Sequence, residues 1–308
     1  MVSSGGARPA KILGLQGGPG VMSIPENVQS LIAGIREACR EEAADLVVLP
    51  ELGTTPYFCG AAEKRFLDWA EPVPGPTTEA FAAVAGELGI NIVVGMFERG
   101  GGRGEFYNSA VVLDRKGQIV HGVLPDGTKV RAYRKTHVVD ILANEDGSPG
   151  SNEKYYFRPG PGLPTFQLDC CRLGILICYD RSFPEAWRVL ALHGAEVVAI
   201  PTASYRAGRS DTYLFEVQTA CLQNAVFGVA VNKGGLEDCP DAKRHFFGNS
   251  AIINPMGEVV ALGPAREGPA VVRATVDLND THRHAWRYNF FRDRRPEIYA
   301  SILKTVVD

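Results

Sequence analysis

Short, β-branched apolar runs alternate with amphipathic segments of helical length along most of the chain, and that alternation confines it to an α/β architecture. KILGLQG reads as the first strand. Residues 25–44 place Val28, Leu31, Ile32, Ile35, Ala38 and Cys39 on one helical face, with Pro25 near its start. DLVVLPE is a short buried strand; a second helix over 77–88 and the strand NIVVGMFE follow the Pro/Gly-rich EPVPGPT. YNSAVVLD and GQIVHGVL read as a hairpin turning between Asp114 and Gly117. The polar, glycine-containing stretch 136–152 is long enough for a functional loop. TFQLD and RLGILICYD are strands, 183–193 a helix, AEVVAIPTA a strand, 211–226 a helix and FGVAVNKGG a strand. NSAIINP and GEVVAL pair around Met256 and Gly257, and AVVRATVDL closes the order. Strands this apolar need cover on both faces, which two mostly β layers flanked by helices provide.

No linker or internal repeat divides the 308 residues, so one domain is expected. Residues 1–9 read as a flexible lead-in, 10–280 as the domain, and 281–308 as a C-terminal arm. The arm's THRHAWRYNFFRDRRPEIY is basic and aromatic, the composition of a segment that packs on a partner subunit, with His282 and His284 read as interface residues. A net charge of −3 argues against nucleic acid as partner. No apolar run is long enough for a membrane span, and the N-terminus lacks the apolar core of a signal peptide. The seven cysteines are scattered without CxxC or zinc-ligand spacing, as expected of a reduced, cytoplasmic protein without a structural metal.

Three strand ends carry chemistry. Cys178 ends the apolar run LGILIC, and polar residues follow at once, which marks the crevice where open α/β sheets place ligands. A helix N-terminus beyond it favours thiolate over thiol. Cys39, Cys59 and Cys221 lack that context and read as packing residues. Glu51 closes the buried run LVVLP, a costly place for a carboxylate unless it is paired or used. Lys135 sits in YRKTH, where a surface lysine is the simpler reading of that segment alone. Together the three supply a nucleophile, a base and a cation, the parts needed to cut a carbon–nitrogen bond by acyl transfer.

The segments VVLPELG, YRKTH and GILICYDRSFPEAWRVLALHGAEVVAIPTA resemble the nitrilase superfamily of carbon–nitrogen hydrolases, supported by NEKYYFRPG, FGNSAIINPMGEVV and RDRRPEIY. The resemblance covers roughly residues 10–300. It implies a four-layer αββα sandwich that pairs into a homodimer through helices and the C-terminal arm. It also implies roles: Glu51 as general base, Cys178 as nucleophile, and Lys135 with the Tyr179 N–H as oxyanion donors. Glu153 matches a second glutamate that orients Lys135 and the substrate nitrogen. No metal or cofactor is implied. CYDRSFPEAWRVLALHGAE most resembles the branch that hydrolyses N-carbamoyl amino acids, β-ureidopropionase among them. Arg181 stands where N-carbamoylputrescine hydrolases carry glutamine, which points to a small-molecule substrate with a carboxylate. The alternative is a buried arginine paired with Asp180 or Glu185. Ser182 and Ala203 depart from the pattern of the D-specific carbamoylases. His137, Ser204 and Arg206 complete the candidate substrate-binding set.

Overall fold

The computed structural model describes residues 6–143 and 149–305. Part of the lead-in, the middle of the 136–152 loop and the last three residues therefore lie outside the described residues. In chain order, β1 (Pro9–Gln16), α1 (Ile24–Glu41), β2 (Leu46–Val48), α2 (Pro76–Leu88), β3 (Asn91–Arg99) and β4 (Phe106–Leu113) come first. The short strands β5 (Gly122–Val123), β6 (Lys129–Val130), β7 (Tyr133–Arg134), β8 (Asp140–Ile141) and β9 (Ser151–Asn152) lead to α3 (Glu153–Tyr156). Next are β10 (Thr165–Gln167), β11 (Arg172–Ile175), α4 (Pro184–Leu192), β12 (Val197–Pro201), α5 (Ala207–Asn224) and β13 (Phe227–Val231). β14 (Gly234–Asp238), β15 (Lys243–Phe247), β16 (Ala251–Ile253), β17 (Val259–Leu262), β18 (Ala270–Asp277) and α6 (Asn279–Tyr288) follow, and two 3₁₀ turns, Pro296–Ile298 and Ala300–Leu303, come after them.

One sheet runs β18-β1-β2-β3-β4-β7 and the other β17-β16-β13-β12-β11-β10-β5-β6. Each is built on three parallel central strands: β1, β2 and β3 in the first, β11, β12 and β13 in the second. The period-two alternation of the strands sorts their side chains into layers. Ile12, Val48, Val93, Ile175, Val197, Ala199 and Val229 meet between the sheets. Leu13, Leu15, Val47 and Val94 turn outward onto Leu31 and Ile35 of α1 and Phe81 of α2. Leu176, Val198 and Ile200 turn onto Trp187 of α4 and Val217 of α5. Three apolar layers separate four structural ones, so the αββα sandwich is the observed fold.

Helix α1 starts where Ser23 accepts a hydrogen bond from the Glu26 N–H (3.4 Å), and buries Val28, Leu31, Ile35 and Ala38 on one face. It ends at Glu41, short of the expected 44. Helix α5 starts at Ala207, four residues before the expected 211. The turn at 114–117 forms, with the Gly117 N–H donating to the Asp114 carbonyl (2.9 Å), but the hairpin does not continue as expected. The Asp114 N–H to Gln118 carbonyl bond (2.9 Å), the Leu113–Ile119 bridge and the Val120 N–H to Val112 carbonyl bond (2.9 Å) extend it by a few residues. The chain then crosses to the second sheet as β5, and β7 takes the free edge of β4. The β14/β15 hairpin and the β8/β9 pair inside the 136–152 loop had no clear sequence signal. Cys221 and Cys59 are buried, and Cys39, on α1, is half-buried against the apolar layer beneath that helix, as expected of packing residues.

Candidate active site

β2, β11 and β12 end at the same edge of the sandwich, and the residues just beyond them make the site. Beyond β2, Pro50 and Glu51 lie against β3 at Gly95, where an added Cβ would come within 2.3 Å of the Pro50 carbonyl oxygen. Glu51 is completely buried. Its Oε1 accepts from Asn108 Nδ2 (2.7 Å) and Lys135 Nζ (2.7 Å), and its Oε2 from the Ala203 N–H (2.9 Å). Lys135 follows β7 and is also completely buried. Besides Glu51, its Nζ donates to Glu153 at 2.8 and 3.1 Å. Glu153 opens α3 and accepts from the Tyr57 hydroxyl at 3.1 Å.

Two carboxylates and one ammonium thus share a space closed to solvent. Burial alone would push the Lys135 ammonium down, but Glu153 and Glu51 outweigh it and hold Lys135 well above its ordinary value. Lys135 stays charged. Burial pushes the Glu153 carboxyl up to about 7, with Glu51 adding to the shift and Lys135 opposing it.

Cys178 opens a 3₁₀ turn, Cys178–Ser182, with φ of +50°, a conformation that non-glycine residues adopt rarely. Such strain persists where the surroundings enforce it. Asp180 is fully buried and supplies much of that enforcement. Its Oδ2 accepts from the Ile177 N–H (3.1 Å) and the Tyr133 hydroxyl (2.5 Å), and its Oδ1 from Thr136 Oγ1 (2.9 Å) and the His137 N–H (2.8 Å). One carboxylate therefore ties the cysteine turn to both sides of Lys135. The sulfur's own hydrogen-bond contacts among the described residues are Ser204 Oγ (3.5 Å) and Arg181 Nη1 (3.8 Å).

Sequence reasoning expected a helix N-terminus to favour the thiolate. Here burial and then Glu51 push the thiol up, and Lys135 and Arg181 only partly offset them. A 3₁₀ turn of five residues intervenes before α4, so no long helix points its N–H groups at the sulfur. At rest the sulfur is a protonated thiol.

A cavity of about 290 Å³ opens beside Cys178. Tyr179, Arg181, Ser204 and Arg206 line it, as does Glu153. His137 is not among its lining residues: it stacks on Phe183 (3.7 Å between centroids) and pairs with Asp180 through Nδ1 (2.7 Å), so its ring is engaged outside the cavity. Arg181 pairs with neither Asp180 nor Glu185. Its Nε lies 3.2 Å from Glu216 Oε2, an ion-pair distance without hydrogen-bond alignment. His284 packs inside the chain, its Nε2 3.2 Å from the Leu222 carbonyl oxygen, which removes it from the interface set.

Sequence reasoning missed Asn108, Tyr57, Arg209 and Glu216. Asn108 had a signal, a polar residue inside the apolar strand YNSAVVLD. Arg209 and Glu216 stand seven residues apart, two turns along α5, and their Nη2–Oε1 bond is 2.5 Å. Among the described residues, no cluster of three His, Cys, Asp or Glu side chains is arranged to hold a metal ion. No described helix is long and apolar enough to cross a membrane. Chemically, the site offers a sulfur and the Glu153 carboxyl group on the cavity wall, with Glu51 and the Lys135 ammonium buried behind that wall and acting electrostatically on the sulfur.

Known proteins carry the same framework. The model of the carbon-nitrogen hydrolase family matches residues 13–287. N-carbamoylputrescine amidase of Solanum lycopersicum is 35% identical over 279 residues, 86% of each chain. Citrullinase of Francisella tularensis is 30% identical over 289 residues, 91% of this chain and 93% of the relative. A carbon-nitrogen hydrolase structure from Helicobacter pylori superposes with a TM-score of 0.84 at 25% identity, over 97% of this chain and 99% of that one. The chain is therefore a member of the carbon–nitrogen hydrolase family of the nitrilase superfamily, hydrolases of non-peptide amide bonds.

Proposed function

We propose that the chain hydrolyses the carbamoyl C–N bond of an N-carbamoyl amino acid, with Cys178 as nucleophile, Glu51 as general acid and base, and Lys135 as oxyanion donor. The observation that carries this reading is Lys135, charged and closed to solvent between Glu51 and Glu153. In the first half-reaction the thiol proton passes to Glu51 while the sulfur attacks the carbamoyl carbon. The carbonyl oxygen gains the negative charge, which Lys135 and the Tyr179 N–H neutralise. The tetrahedral adduct collapses by breaking one C–N bond, and Glu51 returns its proton to the departing nitrogen. Water then attacks the thioester-like carbon, with Glu51 as base, and frees the cysteine. The carbamic acid produced decomposes to carbon dioxide and the second amine. Glu153, held by Tyr57, orients Lys135.

Arg206, in a cavity wall that it shares with Arg181 and the Glu216-paired Arg209, supports a substrate with a carboxylate. A second reading, hydrolysis of N-carbamoylputrescine, is favoured by the 35% identity to an enzyme of that name. A cationic tail would meet these arginines at a cost. Ammonia release from N-carbamoyl-β-alanine, from N-carbamoyl-α-amino acids of both hands and from N-carbamoylputrescine decides between them. Turnover of the anionic substrates supports the first reading; turnover of the cationic one alone rejects it.

We also propose that the C-terminal arm packs against a second copy of the chain. Trp286 (69% exposed), Ile302 (55%) and Leu303 (90%) leave that segment with apolar surface that one copy does not cover.

A further inference from the structure

We infer that Arg181 is a positioning residue for Cys178 rather than the anchor of a substrate carboxylate. This rests on the proposed function only in taking Cys178 as nucleophile.

Arg181 is 4% exposed, although it borders the cavity. Its Nη1 donates to the carbonyl oxygen of Cys178 at 2.7 Å and stands 3.8 Å from the sulfur. That bond clamps the peptide unit that leaves the strained residue. Its Nε faces Glu216 at 3.2 Å, and the guanidinium sits 4.7 Å above the Tyr213 ring. Its backbone carbonyl accepts from Trp187 Nε1 at 2.8 Å, which fixes the main chain beneath it. A carboxylate is held best by two parallel N–H donors of one guanidinium. Each edge of this guanidinium is already partly spent, one on Cys178 and the other beside Glu216. Glu216 also compensates its charge and is itself held by Arg209. An incoming anion would have to displace that carboxylate.

The same geometry puts a fixed positive charge beside the reacting sulfur. The charged groups that act on the sulfur are Glu51, Lys135, Arg181 and Glu153; those around the guanidinium are Glu216 and Arg209, with the Tyr213 hydroxyl nearby. Burial pushes the thiol up, with Glu51, while Lys135 and Arg181 pull it down. Removing Arg181 therefore leaves the thiol harder to ionise. Removing the charge of Glu216 does the opposite, because Arg181 then acts on the sulfur uncompensated.

The test is the rate of Cys178 alkylation by iodoacetamide, a neutral probe, followed against pH in Arg181→Gln, Arg181→Lys and Glu216→Gln. Circular dichroism and thermal melting monitor folding. For Arg181→Gln the ionisation midpoint rises by about one pH unit, which lowers the alkylation rate below the midpoint about tenfold. Arg181→Lys recovers part of that loss, and Glu216→Gln moves the midpoint down. In turnover, kcat falls in Arg181→Gln while KM for N-carbamoyl-β-alanine changes less than about threefold. A KM raised more than about tenfold, with a wild-type alkylation profile, would identify Arg181 as the substrate anchor and overturn the inference. If Arg181→Gln does not fold, Arg181→Lys and Glu216→Gln decide: midpoints unchanged from wild type in both overturn it. Absence of turnover on every carbamoyl substrate by the wild-type protein rejects the substrate reading alone, because the alkylation profiles need no substrate.

Discussion

Lys135 is charged where water does not reach, and its neighbours explain how. A lone buried ammonium would shed its proton; two carboxylates at 2.7 and 2.8 Å keep it. In the mechanism proposed above, that ammonium meets charge that appears later, on a substrate oxygen. Lys135→Ala is expected to lose about 10²–10³-fold in kcat, the usual cost of one oxyanion donor, in stopped or coupled ammonia assays. Lys135→Arg does not restore it, since a planar fork does not fit a site built around a compact ammonium. Unchanged kcat in either variant would remove Lys135 from the chemistry. Glu153 makes a pH prediction. Its folded-state value, about 7, lies above the unfolded value of about 4.3. Between those values the folded protein holds a proton that the unfolded chain has lost. The stabilisation from this group is complete below about 4.3 and is lost as pH rises through about 7. Urea unfolding of wild type and Glu153→Gln from about pH 5 to about pH 8 should give a shallower decline for the variant. Parallel declines would contradict the assignment.

At the scale of elements, three strand ends deliver the site. Glu51 and Cys178 were legible because each closes an apolar run that the sheets bury, where a polar group is conspicuous; Lys135 follows the polar YR of a two-residue strand and was legible only in company with the other two. Glu153 was legible only through the family resemblance, because it starts a four-residue helix with no periodic pattern. Asp180 was read as a possible partner for Arg181, yet its work is to join the cysteine turn to the Lys135 segment across 44 residues of sequence. That kind of link leaves no local trace. Glu216 and Arg209 escaped notice because charged residues on a helix normally face solvent. The 114–117 turn was legible and its hairpin was not, because pairing at β4 was settled by the distant β7. Gly95 illustrates the cost of these contacts. An alanine there would place a methyl group 2.3 Å from the Pro50 carbonyl oxygen, forcing the Glu51 turn away from β3. Gly95→Ala should destabilise by about 1–3 kcal/mol in denaturant unfolding and lower kcat with it. Wild-type stability and activity would show that the turn adapts.

The whole molecule is a four-layer sandwich with its candidate site at one edge and a C-terminal segment that leaves Trp286, Ile302 and Leu303 exposed. The sheets fix Glu51, Lys135 and Cys178 relative to one another, so no domain closure is needed to assemble them. The arm is a separate matter of association. Trp286→Glu combined with Ile302→Glu should shift the protein from dimer to monomer in sedimentation velocity; the same species in both proteins would refute the arm's role. The account as a whole depends on a covalent bond at one sulfur. The direct test is mass spectrometry of the protein quenched during turnover of N-carbamoyl-β-alanine, compared with Cys178→Ala. The account predicts an adduct on the peptide that carries Cys178, and a variant that binds substrate but releases no ammonia. Turnover by Cys178→Ala, or an adduct on another residue, would contradict it.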